Sequence, residues 1–169
     1  MTSEYYADIY KRFQTYVRNY LGNEIIKVAC GPNGGDLNWI DVVMQKAVWQ
    51  MNAISVHYYV RGTGDWTNKG SATQFDEKEW FALMKNTLGI DDVIAKNIEI
   101  MDKYDPNKRV ALFVDEWGTW WDSEPGTMLY QQNTLRDALS AGIFLNVFNS
   151  HCDRVKMTNI ARSIMFFRQ

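Results

Sequence analysis

The chain reads as an α/β protein with a parallel sheet, and more narrowly as a piece of a (β/α)8 TIM barrel. Three observations lead there. Helical and strand patterns alternate strictly in the order helix, strand, helix, strand, helix, strand, helix, which implies right-handed βαβ units. The run Val110 to Val114 is apolar throughout, as in a parallel strand buried on both faces. No glycine-rich phosphate fingerprint follows any strand, which argues against an open dinucleotide-binding sheet. Three strong strands in 169 residues are also too few for a closed barrel, which needs about 250 residues.

The first element is a helix over residues 4–20, where Tyr6, Ile9, Tyr10, Phe13, Val17 and Tyr20 recur at helical spacing with Lys11, Arg12 and Arg18 largely off the stripe. Gly22 and Asn23 supply a stop. IIKVAC, residues 25–30, is a short strand ending at Gly31-Pro32. A helix over roughly Trp39 to Met51 places Ile40, Val43, Met44, Ala47, Val48 and Met51 on one face, and the strand AISVHYYV follows. Residues 62–73 form a polar, glycine-rich loop long enough to act as a lid or binding loop. The pattern is then helical from Asp76 through Met84, pauses at Gly89, resumes from Asp91 to Tyr104 and ends at Asp105-Pro106-Asn107. After the strand 110–116 and a loop with Pro125-Gly126 comes a helix from about Tyr130, with Leu135, Ala138, Leu139, Gly142, Ile143 and Val147 in register.

Composition narrows the partners. Hydrophobic residues at 46% fit a folded domain, and a net charge of -2 with no basic block points to neither nucleic acid nor an anionic membrane. Cys30 and Cys152 lie far apart with no CxxC or Cys/His spacing, so neither a metal site nor a disulfide framework is indicated. No apolar run approaches membrane-spanning length and MTSEYYADIYKRF holds no signal-peptide core, so a cytoplasmic location is expected.

The chemistry concentrates in RVALFVDEWGTWW, residues 109–121. An acid placed where an apolar barrel strand stops stands in the catalytic position, because the loops after the strands build the active site. Regular alternation puts Glu116 with Val110, Leu112 and Val114, and Asp115 with Ala111 and Phe113, so only one acid points into the barrel mouth. Trp117, Trp120 and Trp121 offer flat apolar faces suited to a sugar ring. The same pattern also fits a buried strand capped by a structural ion pair.

VDEWGTWW, taken with YQQNTLRDALSAGIFLNVFNSHCDRVKMTNIA, ISVHYY and EYYADIYKRFQTYVRNY, closely resembles the α-L-arabinofuranosidases of glycoside hydrolase family 51 over nearly the whole chain. The resemblance implies the second half of a (β/α)8 barrel, from the helix after the fourth strand through strand 7 or 8. Residues 1–169 are then a partial catalytic domain, with the N-terminal half-barrel and a C-terminal β-sandwich absent. It implies retaining hydrolysis of terminal non-reducing α-L-arabinofuranosides in arabinan, arabinoxylan or oligosaccharides, without cofactor, by an enzyme whose parent is a homo-oligomer.

Residue by residue, the resemblance makes Glu116 the nucleophile and the Val110-to-Glu116 parity the inward one. His57 and Tyr59 take substrate binding or nucleophile support, while His57 alone also fits a hydrogen-bonded structural histidine. Trp117 and Trp120 take sugar contacts, Trp120 foremost. The family's acid/base glutamate sits in a Gly-Asn-Glu motif. Gly22-Asn23-Glu24 matches in letters, but it follows a helix and precedes a strand, at the amino end of the sheet, so the working motif is expected upstream of Met1. Arg162 stands where the family has a sugar-binding glutamine, and a one-base deletion shifting the frame after Ala161 is expected. The chain alone is accordingly expected to be inactive or impaired. The alternatives are another retaining barrel glycosidase and a non-catalytic sugar-binding remnant.

Overall fold

A computed structural model describes residues 1–32, 35–63 and 65–160. Its elements are helix α1 (Ser3–Gln14), strand β1 (Val28–Ala29), helix α2 (Leu37–Ala47) continued by a 3-10 turn (Val48–Gln50), strand β2 (Ala53–Val60), helix α3 (Glu77–Tyr104), strand β3 (Ala111–Thr119), helix α4 (Leu135–Ser150) and strand β4 (Val155–Ile160). The strands form one sheet in the order β1-β2-β3-β4, and every pairing is parallel. Arg162 and the rest of the tail lie outside the described residues.

Helices α1 to α4 lie side by side, each against the next, and α3 and α4 pack on the sheet. The register puts Ala29, Ile54 and Leu112 in one row across the sheet, and all three belong to the core shared with Ile40, Met44, Leu83, Ile90, Ile94 and Phe144 of the helices. Val28, Ala53 and Ala111 form the neighbouring row on the opposite face, where Val28 is exposed. One face of the sheet is therefore helix-packed and the other is not.

Several boundaries differ from expectation for local reasons. α1 stops at Gln14 rather than near residue 20, because Tyr16 and Tyr20 at 74% and 70% exposure have no surface to pack on and the chain turns at Leu21-Gly22 with positive φ. β1 keeps only two of the six expected residues. Ile25 and Ile26 are exposed, and Asn52 instead ties the chain through its side-chain oxygen, which accepts from the Lys27 N–H, and its own N–H, which donates to the Lys27 carbonyl. Gly31 then passes so close to β2 that a Cβ there would stand 1.5 Å from the Ser55 carbonyl oxygen, so no other residue fits.

α3 runs unbroken for 28 residues, through Gly89. The glycine is a packing device rather than a stop: a Cβ would come 2.7 Å from the Tyr58 hydroxyl, which donates to the Asn86 carbonyl at 2.8 Å. α4 begins at Leu135 rather than about Tyr130, with a capping box in which Thr134 and Asp137 satisfy each other's end of the helix. β4, whose sequence VKMTNI did not stand out as a strand, pairs along β3 and raises the count to four.

The amino ends of β3 and β4 are held by Arg154, which is fully buried. Its guanidinium donates to Asp105 Oδ2 at 2.8 Å, the Val110 carbonyl at 2.9 Å and the Asp105 carbonyl at 2.9 Å, and reaches the Asp102 carboxylate. Asp105 Oδ2 also accepts from the Val110 N–H at 2.6 Å. Burial pushes the Asp105 carboxyl up, but these donors outweigh it and hold it below the usual carboxylate range.

Candidate active site

The site is built by an irregularity in β3. Ser55 pairs with Phe113 and His57 with Glu116, so between these pairs one residue on β2, Val56, opposes two on β3, Val114 and Asp115. This β-bulge inserts one residue and reverses the alternation beyond it. The expected parity is thereby corrected: Val110, Leu112 and Val114 point into the helix-packed core, and Glu116 is turned to the opposite face, in register with His57. The expectation that a single acid reaches the mouth is corrected by the same cause, since Asp115 and Glu116 both come to the imidazole. His57 Nε2 lies 3.1 Å from Asp115 Oδ1, and His57 Nδ1 lies 3.1 Å from Glu116 Oε2.

The three side chains are graded in exposure, His57 at 50%, Glu116 at 43% and Asp115 at 30%. Burial raises the Asp115 carboxyl above its ordinary value; His57 works against this and the Glu116 charge adds to it. Cys30, on the stretch after β1, is held by the Tyr6 hydroxyl, which accepts from its N–H at 2.6 Å, and by Trp39 Nε1, which donates to its carbonyl at 3.0 Å. Burial raises the Cys30 thiol and the Asp115 charge adds to the rise. His57 sends its two nitrogens to different carboxylates, so these groups do not converge on one point, and among the described residues no group of three or more such ligands is arranged to hold a metal ion.

An aromatic row runs outward from this cluster. Tyr59, two residues past His57 on the same strand, meets Trp120 edge to face at 5.0 Å, and Trp120 meets Trp66 at 5.7 Å. The Arg61 guanidinium lies 3.9 Å over the Trp66 ring. Trp66 belongs to the polar loop 62–73, and Asp122 brings it there: its carboxylate accepts from the N–H groups of Lys69 at 3.1 Å and Gly70 at 3.2 Å, and its own N–H donates to the Gly70 carbonyl at 3.1 Å. Trp66, Asp115 and Cys30 were not singled out as site residues. A lone tryptophan in a polar glycine-rich loop was the available signal for the first; the other two depend on the bulge and on the close approach at Gly31.

Trp117 needs correction. Beyond the bulge its side chain shares a row with Tyr58 on the helix face, 4% exposed, with its ring 5.0 Å from Phe144 and 5.2 Å from Phe148. It is a core residue rather than a sugar contact. Trp121 is buried as well: Nε1 donates to Asp137 Oδ1 at 2.7 Å and the Arg136 guanidinium lies 3.8 Å over its ring. Asp137 Oδ1 also accepts from Thr119 Oγ1 at 2.6 Å, and Gln131 Oε1 from the Trp121 N–H at 2.8 Å, so the segment carrying Trp120 is clamped on both sides. Glu24 lines a polar hollow with Lys27, Trp49, Asn52 and Arg109, residues that precede β1, β2 and β3. It stands at the amino end of the sheet, opposite the carboxyl end that carries Glu116.

A bulged parallel strand thus presents two acids to a histidine at the carboxyl end of the sheet, with aromatic rings beside them, in an α/β protein. The family described as "Alpha-L-arabinofuranosidase C-terminal domain" matches residues 115–167. An intracellular exo-α-L-arabinofuranosidase of Bacteroides ovatus is 50% identical over 167 residues, covering 97% of this chain and 32% of that protein. An intracellular exo-α-(1→5)-L-arabinofuranosidase of Acetivibrio thermocellus is 26% identical over 159 residues, covering 81% of this chain and 29% of that protein. The crystal structure of the GH51 arabinofuranosidase from Xanthomonas axonopodis pv. citri superposes with a TM-score of 0.92 at 46% identity, over 95% of this chain and 33% of that one. Over nearly its whole length the chain is similar to arabinofuranosidases, one of them of glycoside hydrolase family 51. It spans about a third of the length of the relatives it matches.

Proposed function

We propose that the chain carries the nucleophile side of a retaining exo-α-L-arabinofuranosidase site, on four consecutive strands of a (β/α)8 barrel. The observation that carries this reading is the placement of Glu116 at the carboxyl end of β3, against His57 and beside the Tyr59–Trp120 pair. The all-parallel, sequential strand order supports the barrel assignment. The names of the relatives support an arabinofuranosyl substrate, in arabinan, arabinoxylan or their oligosaccharides, and an intracellular setting.

In this reading Glu116 attacks the anomeric carbon and forms a glycosyl ester as the bond to the leaving oxygen breaks. Retention calls for a second carboxyl group roughly 5 Å away across the sugar. Glu24 is at the wrong end of the sheet for that task. Without a proton donor for the leaving group, turnover falls by about a hundred- to ten-thousand-fold, and only leaving groups that depart as anions react at a useful rate.

The test uses such a leaving group. With 2,4-dinitrophenyl α-L-arabinofuranoside, dinitrophenolate departs without a proton, and the arabinosyl ester is expected to persist where no second carboxyl group activates water to remove it. Intact-mass and peptide analysis is expected to find one arabinosyl group on the peptide carrying Glu116, and none in Glu116→Gln. A folded chain that acquires no adduct, or that acquires it equally in Glu116→Gln, overturns the reading.

A further inference from the structure

We propose that Asp115 is a positioning residue for Glu116, acting through His57: Asp115 Oδ1 and His57 Nε2 hold one proton between them, so that Nδ1 presents its N–H to Glu116 Oε2. This deepens the reading of Glu116 as nucleophile and rests on it.

Adjacent residues of a regular strand face opposite ways and cannot both touch one side chain. Here the bulge brings both acids to one ring, each 3.1 Å from a different nitrogen. A neutral imidazole has a single N–H and leaves the other nitrogen as an acceptor. With both carboxylates ionised and one proton on the ring, a lone pair of nitrogen would face a lone pair of oxygen on one side. Both contacts are attractive only when the group holds a second proton.

The structure favours Asp115 and Nε2 as the keepers of that proton. Asp115 is the less exposed acid, its Oδ1 is buried without a hydrogen-bond donor, and burial together with the neighbouring Glu116 charge outweighs the opposing pull of His57 and favours its protonated form. Glu116 then accepts from Nδ1, with Oε1 left out of the imidazole contact and available to the anomeric carbon. The titratable groups on this face are Asp115 and Glu116 from β3, Tyr59 beside His57 on β2, and Cys30 next to Asp115 from the stretch after β1. Of the helices, α1 brings the Tyr6 hydroxyl, which accepts from the Cys30 N–H.

Two readouts test the proposal. The chain has only two histidines, His57 and His151, so ring resonances are assigned with His151→Gln. Nitrogen-15 NMR is expected to show a strongly deshielded proton from the Asp115–His57 contact in addition to the Nδ1–H. Asp115→Ala removes the first and retains the second. Identical His57 ring spectra in the wild type and Asp115→Ala would overturn the pairing.

The second readout is the pH profile of arabinosyl transfer to Glu116. In the wild type the rate falls as pH rises and the shared proton leaves. Asp115→Asn carries a permanent N–H toward Nε2 and keeps its rate at high pH, whereas Asp115→Ala is slower by at least about ten-fold throughout, the scale on which a carboxylate supports a working histidine. Coincident profiles for the wild type and Asp115→Asn would sink the positioning role. Absence of transfer in every folded variant, with the spectral difference intact, overturns the nucleophile reading and leaves the Asp115–His57 pairing standing.

Discussion

His57 Nδ1 stands 3.1 Å from Oε2 of Glu116, a residue that regular alternation would have turned into the helix-packed core with Val114. One inserted residue in β3 separates these outcomes, and it decides the roles of the neighbouring tryptophans as well.

Trp117 and Trp120 should respond oppositely to truncation. Trp117→Ala removes a buried ring from between Phe144 and Phe148 and is expected to cost about 3–5 kcal/mol in urea unfolding. Trp120→Ala removes a half-buried ring from the site face and is expected to cost less than about 2 kcal/mol of stability while abolishing arabinose-induced NMR shifts at Tyr59 and Trp66. Equal losses of stability would show that the two rings share one face.

Asp122→Ala releases the loop 62–73 from the segment after β3. Two backbone N–H groups lose their acceptor, and a loss of about 1–3 kcal/mol is expected. The more specific sign is local: amide exchange at Lys69 and Gly70 accelerates and the Trp66–Trp120 contacts vanish from NOE spectra, while exchange in β2 and β3 is unchanged.

Gly89 and Tyr58 form a coupled pair. Alanine in a helix interior is favoured over glycine by about 1 kcal/mol, but at position 89 its Cβ displaces the Tyr58 hydroxyl from Asn86. Gly89→Ala is therefore expected to be within about 0.5 kcal/mol of neutral in the native background and stabilising by about 1 kcal/mol in Tyr58→Phe. A double-mutant cycle from denaturant midpoints reads the coupling; additive changes would mean that the hydroxyl does not occupy that space.

Acid sensitivity has two opposing sources. The folded pKa of Asp105 is depressed by the donors around it, so its contribution is present above the unfolded aspartate value of about 3.9 and is lost as pH falls through the folded value. Asp115 is raised, so its contribution is present below the unfolded value and is lost as pH rises through the folded one. Urea midpoints between about pH 2 and 7 should thus lose their acid-side decline in Asp105→Asn and show a flatter approach to neutrality in Asp115→Asn. Unaltered profiles in both variants would exclude these carboxyls as the source.

Much of the fold was legible because periodicity carries it. The apolar rows of α2, α3 and β2 are written at helical or strand spacing, and burial of those rows needs no knowledge of distant residues. The position of Glu116, His57 and Tyr59 toward the carboxyl ends of two strands was also legible, while the roles expected of them came from the resemblance. The amino-end position of Glu24 followed from element order alone.

What only the tertiary structure decided is where alternation fails. A bulge is a mismatch between two strands, defined by which residue of β2 lies opposite which residue of β3, and neither strand's own sequence records it. The joint approach of Asp115 and Glu116 to His57, and the burial of Trp117, follow from that mismatch. The short β1, the unbroken α3 and the contact of Trp66 with Trp120 likewise rest on partners far along the chain: Asn52, Tyr58 and Asp122. Periodicity reports how a segment divides its own faces; pairing between segments sets which face meets the site.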